Sequence, residues 1–275
     1  MSMSACYSTY YRVDSLGIVT DVASIITGLR AALTVSPPAA SRWTEPAAGT
    51  FKSPARADGM FFTVTPTKIS ATRIAYVVRD HYGLLVNNAT DTRQDIDTPA
   101  GTTIVIYSGP MHLVVNSGRT TPEAWCCGMM ERSPDLNSVP RGLYFASYGP
   151  RNTAGSLSGN EWGCYWVWSP NTGLYVGSNQ RAYCLAYRQP AQSGLYSSDR
   201  FTIAGDLINF TLEFICVNWW MGRFPQAIIT DQSRAYGESV RCPIDDAGTV
   251  GTFQVVGFPP DVYQYTRAKL AIRTG

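Results

Sequence analysis

Thr102–Asn116 reads TTIVIYSGPMHLVVN, and the fold follows from how this stretch is read. Ile104-Val105-Ile106-Tyr107 and Met111-His112-Leu113-Val114-Val115 are short apolar runs rich in β-branched residues, parted by Ser108-Gly109-Pro110. β-Branched side chains suit a pleated surface and Gly-Pro interrupts a helix, so the expectation is strand, sharp bend, strand in a buried sheet. His112 lies inside the second run with no His or Cys at ligand spacing, which predicts a hydrogen-bonded, half-buried imidazole and no metal site.

Working outward, most signals are again β. Met60–Thr65 and Ile69–Asp80 are expected strands, and in the second Ile74, Tyr76 and Val78 alternate with Arg73, Ala75, Val77 and Arg79. Period two marks a sheet with unlike faces. Asp80-His81-Tyr82-Gly83 then reads as a turn and Leu84-Leu85-Val86 as the return of a hairpin. Further strands are expected at Leu143–Tyr148, Cys164–Trp168, Leu174–Val176, Tyr183–Tyr187, Leu207–Trp220, Ala227–Thr230, Phe253–Val256 and Arg267–Ile272.

Two helices are expected. Leu16, Val19, Val22, Ile26, Leu29 and Leu33 recur at three- and four-residue steps, predicting an amphipathic helix over Asp14–Leu33 that Ser36-Pro37-Pro38 ends. It either covers its own sheet or docks on a neighbouring subunit. Thr121-Pro122-Glu123 resembles a helix start and predicts a short helix bearing Trp125, Met129 and Met130. Ser36–Asp58 is rich in Pro, Ala, Ser and Gly, with Trp43 and Phe51 isolated within it, and suits an extended arm anchored on another chain. The expected organisation is a helix and arm over residues 1–58 and a β-rich body over 59–275. The expected fold class is mainly β, a β-sandwich or barrel-like body with an N-terminal amphipathic helix and one short additional helix.

Charged residues make up 15% of the 275-residue chain and aromatic residues 12%, an unusually charge-poor, ring-rich balance for a soluble domain. The 22 basic residues comprise 19 Arg and 3 Lys. Interfaces favour Tyr, Trp and Arg over Lys and Glu, although a GC-rich genome gives the same bias. With a net charge of +2 and both signs scattered, no basic stripe tracks a phosphate backbone, so sequence-specific nucleic-acid binding is not expected. No run of 18 apolar residues predicts a membrane span, and Met1–Asp14 has no signal-peptide pattern.

The seven cysteines are irregularly spaced, which argues against an obligatory disulfide framework and leaves Cys164 and Cys184 as a candidate pair. Gly155-Ser156-Leu157-Ser158-Gly159 is out of register for a nucleophile elbow, and no phosphate loop is present. Asp91, Asp95 and Asp97, like Asp245-Asp246, lie in polar stretches without the spacing of a known Ca²⁺ loop. No catalytic residue, metal site or cofactor is expected. The aromatic cluster Trp162, Tyr165, Trp166, Trp168, Tyr175, Tyr183, Tyr187 and Trp219-Trp220 has three readings: a sugar-stacking platform, interface hot spots, or ordinary β core. The expected interface residues are Leu16, Val19, Ile26, Leu29, Trp43, Phe51, Trp162, Trp166 and Trp168.

The Tyr76-Val77-Val78-Arg79-Asp80 hairpin, the Ile106-Tyr107-Ser108-Gly109-Pro110 bend and the closing Ala268-Lys269-Leu270-Ala271-Ile272-Arg273 strand sit in an aromatic, Arg-rich, charge-poor chain. This ensemble resembles virion structural proteins of tailed bacteriophages, especially neck and tail proteins that ring the tail axis. The resemblance implies a non-enzymatic, multicopy component that forms a homo-oligomeric ring, contacts other virion proteins and is assembled in the host cytoplasm. It transfers no catalytic residue. The alternative of a different class is a receptor- or carbohydrate-binding β module of a phage tail tip.

Overall fold

The chain is mainly β, and Thr102–Asn116 supplies two adjacent strands inside one of its sheets. The computed structural model describes residues 12–56, 59–71, 73–86, 93–95, 100–110, 112–117, 124–129, 131–132, 144–148, 165–169, 174–178, 182–184, 210–216, 219–231, 235, 237–243, 249–256 and 268–275. The first elements are β1 (Arg12–Val19), α1 (Val22–Leu29), β2 (Thr44–Ala47), β3 (Thr50–Lys52), β4 (Phe62–Ser70), β5 (Arg73–Asp80) and β6 (Arg93–Asp95). Next come β7 (Thr102–Ser108), β8 (His112–Ser117), β9 (Ala124–Met129), β10 (Glu131–Arg132), β11 (Tyr144–Tyr148), β12 (Tyr165–Ser169), β13 (Leu174–Ser178) and β14 (Ala182–Cys184). The last are β15 (Phe210–Cys216), β16 (Trp219–Asp231), β17 (Ser239–Pro243), β18 (Val250–Val256) and β19 (Ala268–Arg273).

These strands form three antiparallel sheets, none closed among the described residues. One runs β1-β7-β8-β9-β11-β12-β13, one β2-β3-β4-β5-β6, and one β14-β15-β16-β19-β18-β17 with β10 paired to β16. Among the described residues, one apolar core joins the first two sheets to α1. It contains Ile25 and Leu29 of the helix, Phe51, Phe62, Val64, Tyr76 and Val78 of β3–β5, and Ile104, Ile106, Leu113 and Val115 of β7–β8.

The β7–β8 pair has Ile106 opposite Val115 and Ser108 opposite Leu113, and the Gly109 N–H closes the turn on the His112 carbonyl at 2.9 Å. Both strands are interior to their sheet, which explains their nearly continuous apolar character. Just before β7, Gly101 has φ +77, and a Cβ there would overlap Ile18 Cγ2 and lie 3.1 Å from the Val19 carbonyl oxygen. Gly83 has a similar φ of +80 but open space around it. Gly101→Ala is therefore expected to destabilise by about 1–3 kcal/mol in chemical denaturation, and Gly83→Ala by less, since it meets the backbone penalty without the clash. Equal losses would overturn the packing argument.

The N-terminal helix differs from expectation. Its stripe began at Leu16, but Arg12–Val19 is strand β1, paired with β7 and bulged between Ser15 and Gly17. Gly17 has φ +70, unfavourable for helix, and pairing with β7 satisfies backbone groups that a first helical turn leaves open. The helix instead starts after Asp21, whose side chain accepts the Ser24 N–H at 2.7 Å while Ser24 Oγ accepts the Asp21 N–H at 3.1 Å. It continues as wider π-type turns over Arg30–Val35, stopping at Ser36-Pro37-Pro38 as expected.

Two further expectations are corrected. Ala124–Met129, expected in a short helix, is strand β9, hydrogen-bonded to β8 and β11 on its two sides. Neighbours on both edges outweigh a local start signal, and the aromatic Trp125 suits a strand. Leu207–Trp220, expected as one strand, contains β15 and the start of β16, with Cys216 opposite Trp219 and Ile215 opposite Trp220.

Within residues 36–56, β2 and β3 extend the five-stranded sheet, with Phe51 opposite Val64. Glu45 ties this hairpin to the helix: it takes a two-pronged ion pair from Arg30 at 2.6 and 2.7 Å and accepts the Gly49 N–H at 2.7 Å. The guanidinium and that N–H hold the Glu45 carboxyl down at about 2.

Candidate functional site

The expected interface residues separate into three groups. Val19, Leu29, Trp43 and Phe51 are buried in the chain's own core. Leu16 and Ile26 are half-buried against that core. Trp166 and Trp168 lie in β12, opposite Gly177 and Tyr175 of β13, with side chains outside the described residues, as is Trp162 altogether. The candidate pair Cys164 and Cys184 is also not described at the side-chain level, nor are Asp91, Asp97 and Asp245-Asp246.

Trp43 is packed inside its own chain. Its Nε1–H donates to the Gly109 carbonyl at 3.0 Å, and its ring meets Phe62 edge-on at 5.2 Å. His112 is buried too, more deeply than expected, with Nε2–H donating to the Met129 carbonyl at 2.8 Å. Burial lowers its pKa to about 4, with nearby Arg56 acting in the same direction and the Met129 carbonyl opposing it. A neutral imidazole committed to a backbone carbonyl is a structural group. Among the described residues, no three His, Cys, Asp or Glu side chains gather as a metal site, and no helix is long and apolar enough to cross a membrane.

The polar side chains that do converge lie on the face of the five-stranded sheet away from the core, Arg79 and Tyr82 exposed and Lys52, Phe61, Thr63 and His81 half-buried. Register places Lys52 of β3 opposite Thr63 of β4, and Thr63 opposite Arg79 of β5. One step along, Phe61 and His81 bring their rings to 6.2 Å, Lys52 Nζ stands 3.8 Å from the Phe61 ring centroid, and Tyr82 lies 4.0 Å from His81. The opposite face of the same strands carries buried Phe51, Phe62, Val64 and Val78.

The presenting turn is internally braced. Buried Asp80 accepts the Tyr82 and Leu84 N–H groups at 2.9 and 2.8 Å, and Arg79 Nη1 donates to the Gly83 carbonyl at 2.9 Å. This is a three-residue hairpin loop with glycine in the left-handed position, matching the hairpin expected at Asp80–Val86. It leaves Tyr82 60% exposed on a fixed backbone.

Sequence reasoning treated His81 as an ordinary turn residue and did not assemble this face. Alternation within β4 and β5 would put Thr63 on one face and Arg79 on one face, but the register joining them across three strands has no local sequence signal. No protein-family model matches the sequence, and comparison with curated proteins finds no match.

Proposed function

We propose that this chain is a multicopy, non-enzymatic structural component of a tailed-bacteriophage virion, a ring-forming head-to-tail connector, neck or tail protein. It acts by self-association and by docking on neighbours. The observation that carries the reading is β1, which pairs with β7 on one side and is an edge of its sheet among the described residues. An edge strand is a template for another chain. β1 is exposed over most of its length, with Ile18 65% and Val13 41% exposed. The bulge at Ser15–Gly17 and the Arg12–Asp14 ion pair at 2.9 Å restrict the registers in which a strand can add. The Arg-rich, charge-poor composition supports the same reading. In this proposal the five-stranded sheet and the β1-containing sheet are two layers of a sandwich around their shared core.

Native mass spectrometry of the full chain is expected to give a closed oligomer. Ile18→Glu, which alters an exposed position, is expected to shift it towards monomer with the circular dichroism spectrum unchanged. A monodisperse monomer at high concentration, together with absence of the chain from purified particles, would overturn the proposal.

A second reading, a receptor- or carbohydrate-binding module of a tail tip, is favoured by the rings and cations gathered around Tyr82. Exposed rings stack on the apolar faces of sugars, and a braced turn holds them without an ordering penalty on binding.

A further inference from the structure

We infer that the outward, partly exposed face of the five-stranded sheet formed by Lys52, Phe61, Thr63, Arg79, His81 and Tyr82 binds an anionic saccharide; this rests on the second reading above. Three features select that ligand class. The first is charge: Lys52 and Arg79 stand on one face and form no ion pair with a carboxylate among the described residues. The buried carboxylate of Asp80 lies on the far side of the sheet, where it accepts the Tyr82 and Leu84 N–H groups.

The second is ring geometry. Phe61, His81 and Tyr82 form a contiguous series, Phe61 to His81 at 6.2 Å and His81 to Tyr82 at 4.0 Å, ending in the exposed Tyr82. A pyranose can lie against the outer ring with its hydroxyls towards Thr63 and its carboxylate towards the cations. The third is size. β3 to β5 spans two strand spacings, roughly 10 Å, and one residue pair along a strand adds about 7 Å. That footprint suits one or two sugar rings. It is too short for the extended basic track that a nucleic-acid backbone requires.

The full-length protein is titrated with a galacturonic acid oligomer, with the same oligomer after methyl esterification, and with a single-stranded oligonucleotide, using calorimetry. The acidic oligomer is expected to bind, and esterification, Lys52→Ala or Tyr82→Ala to weaken binding by about tenfold or more. Each variant changes a partly or largely exposed side chain, so unchanged thermal unfolding is the accompanying control. Equal binding of the esterified oligomer, lost in Tyr82→Ala, would overturn the charge assignment while upholding the saccharide reading. Binding of neither oligomer would overturn both. Tighter binding of the oligonucleotide would overturn the saccharide in favour of nucleic acid.

Discussion

Trp43→Ala is expected to lower stability by about 3–5 kcal/mol, the loss typical of truncating a fully buried large aromatic side chain. Trp43 is 1% exposed and joins three parts of the fold. Its backbone N–H bonds the Leu33 carbonyl at the end of the helical segment, its ring meets Phe62 of β4 at 87°, and its indole N–H holds the Gly109 carbonyl in the β7–β8 turn. Removing the ring opens a cavity between the two sheets and leaves a buried carbonyl without its donor. Trp43→Phe separates these effects: it keeps an aromatic body and forfeits the hydrogen bond, so its loss should be smaller, roughly 1–3 kcal/mol. Urea denaturation measures both, and hydrogen exchange at the Gly109 amide reports whether the turn loosens. A Trp43→Ala loss below about 1 kcal/mol would show that this residue does not join the sheets.

Acidification should destabilise the protein through His112 before carboxylates contribute. The folded pKa of about 4 lies below the ordinary 6.5, so between these values the unfolded chain binds a proton that the folded chain excludes. The stability is fully present above pH 6.5 and is lost as pH falls towards 4. At 1.36 kcal/mol per pH unit, that gap corresponds to roughly 3 kcal/mol. Glu45 acts in a lower window: its depressed carboxyl contributes stability above the ordinary carboxylate range that is lost as pH falls towards 2. The measurement is the unfolding free energy of wild type and His112→Gln from pH 7 to pH 4. The amide of Gln can donate to the Met129 carbonyl without titrating in this range. The variant is expected to start less stable at pH 7 and to show a shallower decline. Parallel curves would assign the acid sensitivity to other groups.

The β character of the chain was legible wherever the pattern was local. Alternation over Ile74–Val78, the runs on either side of Ser108-Gly109-Pro110 and the Asp80–Gly83 turn all correspond to observed strands or turns. Where the reading failed, a local signal competed with a distant partner. Leu16 and Val19 sit at helical spacing from Val22 and Ile26, yet β1 pairs with a strand some ninety residues later in the chain. The Pro- and Ala-rich 36–58 segment has too few apolar residues for a core of its own, so only its contacts with Gly109, Phe62 and Val64 show that Trp43 and Phe51 belong inside.

The same division holds for the candidate site. Composition alone determined a charge-poor, aromatic, Arg-rich β chain, because these quantities and the period-two alternation are properties of the residues themselves. Tertiary structure decided which of the described rings are core and which face solvent, and it brought Lys52 of β3, Phe61 just before β4, Arg79 of β5 and Tyr82 of the turn together. The physical reason is register. A one-residue slip in a strand exchanges its two faces, and register is set by the whole buried surface and by turns elsewhere, rather than by any residue of the site.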